Sequence, residues 1–210
     1  MKQVLTVRDV EQAAKNKKTI TIRPNAIITP YAADRARELG VQFIRQEAQA
    51  SQTIRPETNG KVKTVVLGAD HGGFALKEEL KAFIRESGYS VIDVGTNRAE
   101  ACDYPDFAFK VAETVARGDA QRGIMIDSVG IGSAMAANRV PGVLAAKCNN
   151  VVEAKSAREH NYANVLTLGA KIIGNQMARE IVQAFLDTQG GAERHLRRVN
   201  KILNYHQKND

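Results

Sequence analysis

The chain has 210 residues, of which 43% are apolar and 25% are charged, so its length and composition suit one medium α/β domain with a small appendage. No segment approaches the roughly 18 to 20 unbroken apolar residues of a membrane span, and the leading residues MKQVLTVRDVEQ lack the apolar core of a secretory signal. Two cysteines without a CxxC pair and four scattered histidines argue against a disulfide framework and a metal site. We therefore expect a cytoplasmic protein with no membrane partner.

The net charge of +7 raises the question of a nucleic-acid partner. Lysine and arginine are spread along the whole chain, aromatic residues make up only 5%, and no basic run is interleaved with stacking side chains. We expect no nucleic-acid binding. One local concentration remains, at Arg194, Arg197, Arg198 and Lys201, which share a face if residues 192–207 form a helix. This face is either solvated or an anion site.

The composition changes near residue 50 and divides the chain into three parts. Residues 47–61 are polar, lack periodicity and contain Pro56 and Gly60, so we predict a linker there. Residues 1–46 precede it as a small N-terminal module, and residues 62–210 follow as the main domain. A module of about 45 residues buries little core alone, so we expect it to dock on another surface or to serve in targeting.

The N-terminal module has the pattern of a small α/β appendage. Residues 5–16 are predicted to be helical and residues 19–23 to form a strand. Thr29 as N-cap and Pro30 in the first turn are typical of a helix start, and Gly40 is typical of a helix end.

The main domain alternates between strand and helix patterns. Apolar β-branched runs lie at residues 62–67, 91–94, 123–126, 143–146 and 165–168. Helical patterns lie at about 74–87, 106–117, 133–140, 151–159 and 175–188. Such alternation predicts right-handed βαβ units and a doubly wound parallel sheet of about five strands. A ligand is expected at the carboxyl ends of the strands, near the reversal of strand order.

The segment RGIMIDSVGIGS, residues 122–133, is the most informative part of the chain. An apolar strand pattern leads directly into a glycine-rich loop and then a helical pattern. Glycines let backbone N–H groups approach a ligand closely, and the helix start adds unpaired donors that favour an anion. Asp127 stands at the end of the strand and adds a carboxylate. Taken alone, such a loop is more often a tight connection than a binding site.

Polar residues follow other predicted elements as well. Asp70 and His71 come after the first strand of the main domain and are either ligands of a polyol or phosphate, or a helix cap with an exposed histidine. Tyr104 either forms a pocket wall or belongs to a turn set by Pro105. His160 ends a predicted helix and is either a C-terminal cap or an acid–base group.

Together these segments resemble a known family. GADHGGFALKEELKAFI, DYPDFA, GIGSAMAANRVPG, SAREHNYANVLTLGAKIIG and RHLRRV occur in the order and spacing of type B ribose-5-phosphate isomerase and the related galactose-6-phosphate isomerase subunits. The resemblance covers about residues 62–204. It implies a Rossmann-like α/β fold, a small phosphosugar as substrate, no metal or cofactor, and a homodimer or homotetramer with active sites between subunits.

The resemblance also implies residue roles in aldose–ketose isomerisation, which needs a base between two carbons and donors for the enediolate oxygen. His160 is expected to open the sugar ring and Asn161 to stabilise the intermediate, with Asp127 at the position of the base. Residues expected at the substrate are Asp70, His71, Tyr104, Ser128, Gly130, Ile131, Gly132 and Asn138. Residues expected at the phosphate are Lys171, Arg194 and Arg198.

One departure from the family is chemically important. Asp127 stands where the ribose-phosphate enzymes carry their catalytic cysteine, and Ser133 stands where another branch carries a glutamate. This pattern looks most like the A subunit of galactose-6-phosphate isomerase, which works beside a cysteine-bearing B subunit. A carboxylate with a pKa near 3.9 is a weaker base than a thiolate of parent pKa near 8.5. Three interpretations stay open: Asp127 is the base of an isomerase with altered specificity, the chain needs a cysteine-bearing homologous subunit, or it binds phosphosugar without turnover.

The N-terminal module lies outside this resemblance. Its segment ITPYAADRARELGV is similar to short leading segments on some enzymes of bacterial microcompartments. Docking on, or encapsulation in, a microcompartment is therefore a hypothesis for residues 1–46.

Overall fold

The computed structural model describes residues 3–16, 19–23, 26–45 and 62–205. The chain divides into two compact units, one of residues 1–51 with 204–210 and the other of residues 52–203. The predicted linker, residues 47–61, lies outside the described residues. None of the helices in the described ranges is long and apolar enough to cross a membrane.

The smaller unit is an α/β module. Its elements are β1 (Val4–Leu5), α1 (Val7–Asn16), β2 (Thr19–Ile22), β3 (Ile27–Ile28), α2 (Pro30–Leu39) and β4 (Gln42–Arg45). The predicted helix over residues 5–16 begins two positions later, because the buried Leu5 belongs to β1. Thr29 caps α2 by accepting the Ala32 N–H at 3.3 Å, and Gly40 ends it with a φ of 67°, which a side chain rarely adopts.

This module is built from two similar β-α-β halves. β1 pairs in parallel with β3, and β2 pairs in parallel with β4. Val4 lies opposite Ile27 and Thr19 opposite Gln42, so the same chain offset relates both pairs. Thr6 precedes α1 as Thr29 precedes α2. The segments VLT and IIT carry this repeat in the sequence, and the pattern analysis did not predict it.

The larger unit contains a five-stranded parallel sheet with helices on both faces. Its elements are β5 (Thr64–Ala69), α3 (Phe74–Glu86), β6 (Ser90–Asp93), α4 (Tyr104–Ala116), β7 (Arg122–Asp127), α5 (Ile131–Ala137), β8 (Ala145–Lys147), α6 (Val151–Glu159), β9 (Val165–Gly169), α7 (Asn175–Asp187) and α8 (Glu193–Leu203). The strand order is β6-β5-β7-β9-β8, and every pair is parallel. The predicted doubly wound α/β fold is confirmed.

Several predicted bounds shift by a few residues, and those of β8 and α5 bear on the site. The fourth strand pattern, residues 143–146, becomes β8 only from Ala145, because Val143 is buried in the turn that precedes it. The helix predicted over residues 133–140 begins at Ile131, so that the last glycine of the glycine-rich loop lies within its first turn.

Alternating strand residues pack on opposite faces of the sheet. Leu67 and Ile126 contribute to the cluster shared with α3 and α7, whereas Val66 and Met125 contribute to the cluster shared with α4 and α5. Both faces are thus covered, as a parallel sheet requires. The strand order reverses between β5 and β7, whose carboxyl ends are Ala69 and Asp127. This reversal places two connecting loops side by side.

Candidate active site

The loops after β5 and β7 lie against each other. The Asp70 N–H donates to the Ile126 carbonyl at 3.2 Å, and the Asp70 carboxylate accepts the Gly73 N–H at 3.0 Å. A side chain at Gly72 would collide with the Ser128 hydroxyl. The turn that carries Asp70 and His71 is therefore fixed beside the loop after β7.

Asp127 is buried, and its carboxylate is hydrogen-bonded to its own loop. One oxygen, Oδ1, accepts the N–H of Val129 at 2.6 Å and the N–H of Gly130. The other, Oδ2, accepts the N–H of Ser133 at 3.3 Å and the Ser133 hydroxyl. Since a carboxylate offers about four lone-pair positions, these donors occupy them all in this conformation. Ser133 therefore holds Asp127 in place, a role that sequence reasoning missed.

The glycine loop, residues 128–133, approaches its neighbours too closely for larger residues. Gly130 has a φ of 86°, and a Cβ there would lie 3.0 Å from the Leu168 carbonyl carbon. A Cβ at Gly132 would lie 2.5 Å from the Tyr104 ring, so Tyr104 covers the loop. Ile131 and Gly132 begin α5, and the N–H groups of a first helical turn have no acceptor within the helix. These are the donors available to an oxyanion.

His71 borders this group with its imidazole partly exposed. Its Nδ1 lies 3.2 Å from both the main-chain nitrogen and the carbonyl oxygen of Cys102, so the Cys102 backbone fixes the ring. The Asp70 carboxylate lies 4.0 Å from the same nitrogen. His71 is thus held against Cys102 in the turn after β5, at the edge of the sheet where the glycine loop lies.

Lys171 lies at the same edge. Its main-chain N–H donates to the Ser128 carbonyl at 3.0 Å, next to the Ala170 N–H, which donates to the Asp127 carbonyl at 2.8 Å. Nine residues of the predicted site therefore meet at the carboxyl edge of the sheet: Asp70, His71, Tyr104, Asp127, Ser128, Gly130, Ile131, Gly132 and Lys171.

Asn138 lies at the end of α5, where its amide is engaged with the main chain. Its Nδ2 donates to the carbonyls of Ala134 and Ala145, and its Oδ1 accepts the Ala145 N–H, each at 2.9 Å. These bonds join α5 to β8. The substrate contact that we expected for Asn138 stays a prediction. Its bonds to Ala134 and Ala145 favour a structural role, in which it holds α5 against β8.

His160, Asn161, Arg194 and Arg198 lie at the opposite edge. The turn that carries His160 and Asn161 immediately precedes β9, whose carboxyl end at Gly169 pairs with Asp127. Five strand residues span about 16 Å. No side chain bridges that distance, so one chain does not bring His160 and Asp127 to the same substrate.

Two residues of this amino edge of the sheet, His160 and Arg194, line a cleft of about 640 Å³. Its charged and imidazole side chains are Lys155, Glu159, His160, Asp187, Arg194 and His195. The rings of His160 and His195 are stacked, with their centroids 4.6 Å apart and an angle of 25° between planes. The pKa of His195 is lowered, first by burial and then by the charges of Arg194, His160 and Arg198. His195 was missed in the sequence, although it stands beside Arg194.

Tyr162 fixes the turn that carries His160. It is buried, and its φ of 53° is unusual for a residue with a side chain. Its hydroxyl donates to the Gly191 carbonyl, and the Glu159 carbonyl accepts the Gly191 N–H at 3.0 Å. The segment before α8 is thereby held against the end of α6. Strain of this kind is concentrated at functional sites.

A second cleft, of about 670 Å³, opens beside Cys102. Three of its charges are paired with one another, since Asp93 accepts from the buried Lys77 at 2.7 Å and from the partly exposed Lys81 at 2.8 Å. Such pairing leaves little of this charge to recognise a ligand. Within the described ranges, no group of three or more histidine, cysteine or acidic side chains is arranged to hold a metal ion.

Neither cysteine lies on the glycine loop. Cys148 follows β8, and burial, reinforced by Glu153, raises its pKa to about 12. Cys102 is only partly buried, but its sulfur lies 3.9 Å from His71 Nδ1, outside the glycine loop.

These features define a doubly wound α/β protein with a glycine loop at the reversal of strand order. The chain belongs to the ribose/galactose isomerase family, whose profile matches residues 65–202. The resemblance inferred from the sequence is thus confirmed.

Individual relatives agree with this assignment. Ribose-5-phosphate isomerase B of Escherichia coli (strain K12) is 41% identical over 141 residues, covering 67% of this chain and 95% of that protein. Galactose-6-phosphate isomerase subunit LacA 1 of Streptococcus pyogenes serotype M28 is 37% identical over 138 residues, covering 66% and 96%. The structure of Clostridium thermocellum ribose-5-phosphate isomerase B aligns with a TM-score of 0.68 at 45% identity, covering 70% and 99%.

Thiol labelling tests the environments of the two cysteines. The thiolate is the reactive species, so Cys148, with its pKa of about 12, is expected to resist iodoacetamide at pH 8 while Cys102 reacts. Mass spectrometry of the native protein should find one modified thiol, at Cys102, and two after denaturation. Rapid modification of Cys148 in the native protein would contradict the buried position described here.

Proposed function

We propose that this chain is a sugar-phosphate aldose–ketose isomerase that converts ribose 5-phosphate to ribulose 5-phosphate, or a related pentose or hexose phosphate, through an enediolate. The observation that carries the proposal is a glycine loop with Asp127 at its start and Asp70 and His71 beside it, in a chain of the ribose/galactose isomerase family. The free N–H groups at the start of α5 suit an oxygen that gains negative charge.

The active site is proposed to form between two copies of the chain. The two groups of residues lie at opposite edges of the sheet, so a complete set requires the amino edge of one subunit to face the carboxyl edge of another. Apolar side chains are exposed around the glycine loop, which is typical of a surface that a partner covers. They are Val129 at 41%, Ile131 at 50%, Met135 at 65% and Ile172 at 53% exposure. A homodimer or homotetramer satisfies this requirement.

In that assembly each group has a separate task. His160 of one subunit opens the sugar ring, Asn161 stabilises the intermediate, and Arg194 and Arg198 hold the phosphate far from the reacting carbons, with Lys171 as a further cation. Two arginines suit this task because the guanidinium binds phosphate in a bidentate manner. Anchoring the phosphate supplies the positioning energy for proton transfer at the other end of the sugar.

Proton transfer by Asp127 requires one of its hydrogen bonds to open. Three of its four donors are main-chain N–H groups, which the loop fixes, whereas the Ser133 hydroxyl is able to rotate. Asp127 is therefore proposed to accept a proton at Oδ2 after the Ser133 hydroxyl turns away. The alternative is that Asp127 only organises the loop. In that case a cysteine-bearing homologous subunit supplies the base, and the similarity to a galactose-6-phosphate isomerase subunit favours this arrangement. Otherwise the chain binds phosphosugar without turnover.

Isomerisation in deuterated water tests the activity. Incubation with ribose 5-phosphate, allose 6-phosphate or galactose 6-phosphate is expected to place deuterium at C2 of one sugar, because the base exchanges its proton with solvent. Asp127→Asn should lower the exchange rate by at least about 100-fold. Asp119→Asn, which alters an exposed carboxylate paired with Arg117, is the matched control and should retain the rate.

The other outcomes separate the alternatives. Exchange that begins only when a cysteine-bearing homologue is added identifies a heteromer. Phosphosugar binding without any exchange, alone or in that mixture, sinks the isomerase proposal. A large gain in rate for Asp127→Cys with wild-type exchange near zero would identify a scaffold that lacks only its base.

Mixing two inactive variants tests the shared site. Asp127→Asn and His160→Asn are each expected to be inactive as pure proteins. A heterodimer of the two has one site with both substitutions and one site with neither, so a randomly reassembled mixture should regain about one quarter of the wild-type rate. Absence of any recovery after verified exchange of subunits would contradict the assignment of these residues to different subunits.

The three-part organisation is proposed as a docking or targeting module at residues 1–46, a linker at 47–61 and an isomerase domain at 62–210. The module exposes Val4, Ile27, Tyr31 and Ile44, which supports contact with another protein. Its partner is proposed to be a component of a bacterial microcompartment, with the free cytoplasm as the alternative location.

Deleting residues 1–50 separates these locations. The truncated chain is expected to keep its oligomeric state and isomerase rate but to lose co-sedimentation with microcompartments, measured with a fluorescent fusion and gradient fractions. Unchanged location of the truncated protein would remove the docking hypothesis.

A further inference from the structure

We propose that His195 is a positioning residue for His160, and that its stacked imidazole holds the His160 ring in the orientation needed for acid–base work on the sugar. This inference rests on the proposed function, because it assigns a task to a neighbour of the ring-opening group.

His160 has few other contacts that fix its ring. It is exposed at the end of α6, and its Nδ1 lies 3.4 Å from the Ser156 hydroxyl, at the long limit of a hydrogen bond. An exposed imidazole held by one weak bond samples several rotamers. The stacked ring of His195 restricts this freedom, because it lies face to face with His160 at a centroid distance of 4.6 Å.

His195 itself is well fixed. Only 8% of its surface is exposed, and its neighbours Leu196 and Val199 on α8 pack against Tyr162. Tyr162 belongs to the same turn as His160, two positions further along the chain. The helix that supplies the stacking ring and the turn that carries His160 therefore share one apolar cluster, so their relative position is set by packing.

The charges around the pair favour a neutral His195. Arg194 and Arg198 flank it on α8, Lys155 and Glu159 face the cleft from α6, and Asp187 faces it from the end of α7. Burial, and then the nearby cations, lower the pKa of His195. A neutral ring lets His160 gain or lose a proton without a further positive charge at stacking distance.

Direct binding of phosphate by His195 is the competing explanation, since both neighbouring arginines are assigned to the phosphate. The two explanations differ in kinetics. Loss of a phosphate ligand raises KM, whereas loss of orientation at His160 lowers kcat and leaves KM nearly unchanged. Phenylalanine separates them further, because it keeps a stacking ring and removes the nitrogen atoms that contact phosphate.

The test compares His195→Phe and His195→Ala in the full-length protein, with the sugar phosphate on which the wild type is active. His195→Ala is expected to lower kcat by about 10-fold with KM changed less than about twofold, because a misplaced acid–base group loses rate steeply. His195→Phe should keep kcat within about threefold of wild type. Glu193→Gln, which removes an exposed charge from the same helix, should leave both constants unchanged.

A second measurement does not depend on turnover. In the NMR spectrum of histidine-labelled protein, the ring protons of His160 lie above the His195 ring and are shielded by it. His195→Ala is expected to move these resonances downfield, whereas His195→Phe keeps them upfield. The shifts are read on chains whose thermal unfolding midpoint equals that of the wild type, so that a folding defect is separated from lost stacking.

Three results overturn the proposal. A KM raised at least about tenfold in both variants with kcat unchanged identifies His195 as a phosphate ligand. Equal kcat in His195→Ala and wild type shows that the stacking has no catalytic effect. Unchanged His160 resonances in His195→Ala show that the rings are not stacked in solution. If the wild type fails to turn over any sugar phosphate, the proposed function fails, and the resonances still decide whether His195 orients His160.

Discussion

The uniform direction of the five strands is the constraint on which the rest of this structure depends. In a parallel sheet every strand ends at one edge, so the loops that follow strands and the turns that precede them lie apart. The glycine loop follows β7, whereas the turn with His160 precedes β9. The fold therefore separates the proposed oxyanion donors from the imidazole and guanidinium groups within one chain. The proposed reaction requires two chains for this reason, and the exposed apolar side chains around the glycine loop offer a surface for the second chain.

Asp127 shows how a single residue affects both structure and chemistry. Its carboxylate satisfies three main-chain N–H groups of a loop that would otherwise carry buried unpaired donors. The same bonds occupy the lone pairs that a base needs. A cysteine side chain has no comparable set of acceptors, so a thiol at this position would leave these N–H groups without their carboxylate partner. Ser133 affects both the order of the loop and the basicity of Asp127, because its hydroxyl is the only side-chain donor found on Asp127 within the described residues.

The amino edge has its own supporting structure. Arg158 is fully buried and donates to the carbonyls of Ala163 at 2.6 Å and Thr188 at 3.1 Å, which ties the start of β9 to the end of α7. Tyr162 adds its left-handed backbone and its bond to Gly191. These contacts bring α8, with Arg194 and His195, to the end of α6. The cluster of cations and imidazoles thus depends on buried polar contacts well outside the proposed reaction centre.

The sequence by itself determined the fold class, the caps of α2 and the glycine loop, because these follow from local periodicity, turn chemistry and motif spacing. Asp70, His71 and Asp127 were identified at strand ends for the same reason, and a parallel sheet brings strand ends together. Only the tertiary structure decided that Asp127 is saturated by its own loop, that Asn138 bonds to β8, and that His195 stacks on His160. Each of these is a contact between side chains or between a side chain and the main chain, and its direction depends on rotamers and packing that no one-dimensional pattern encodes.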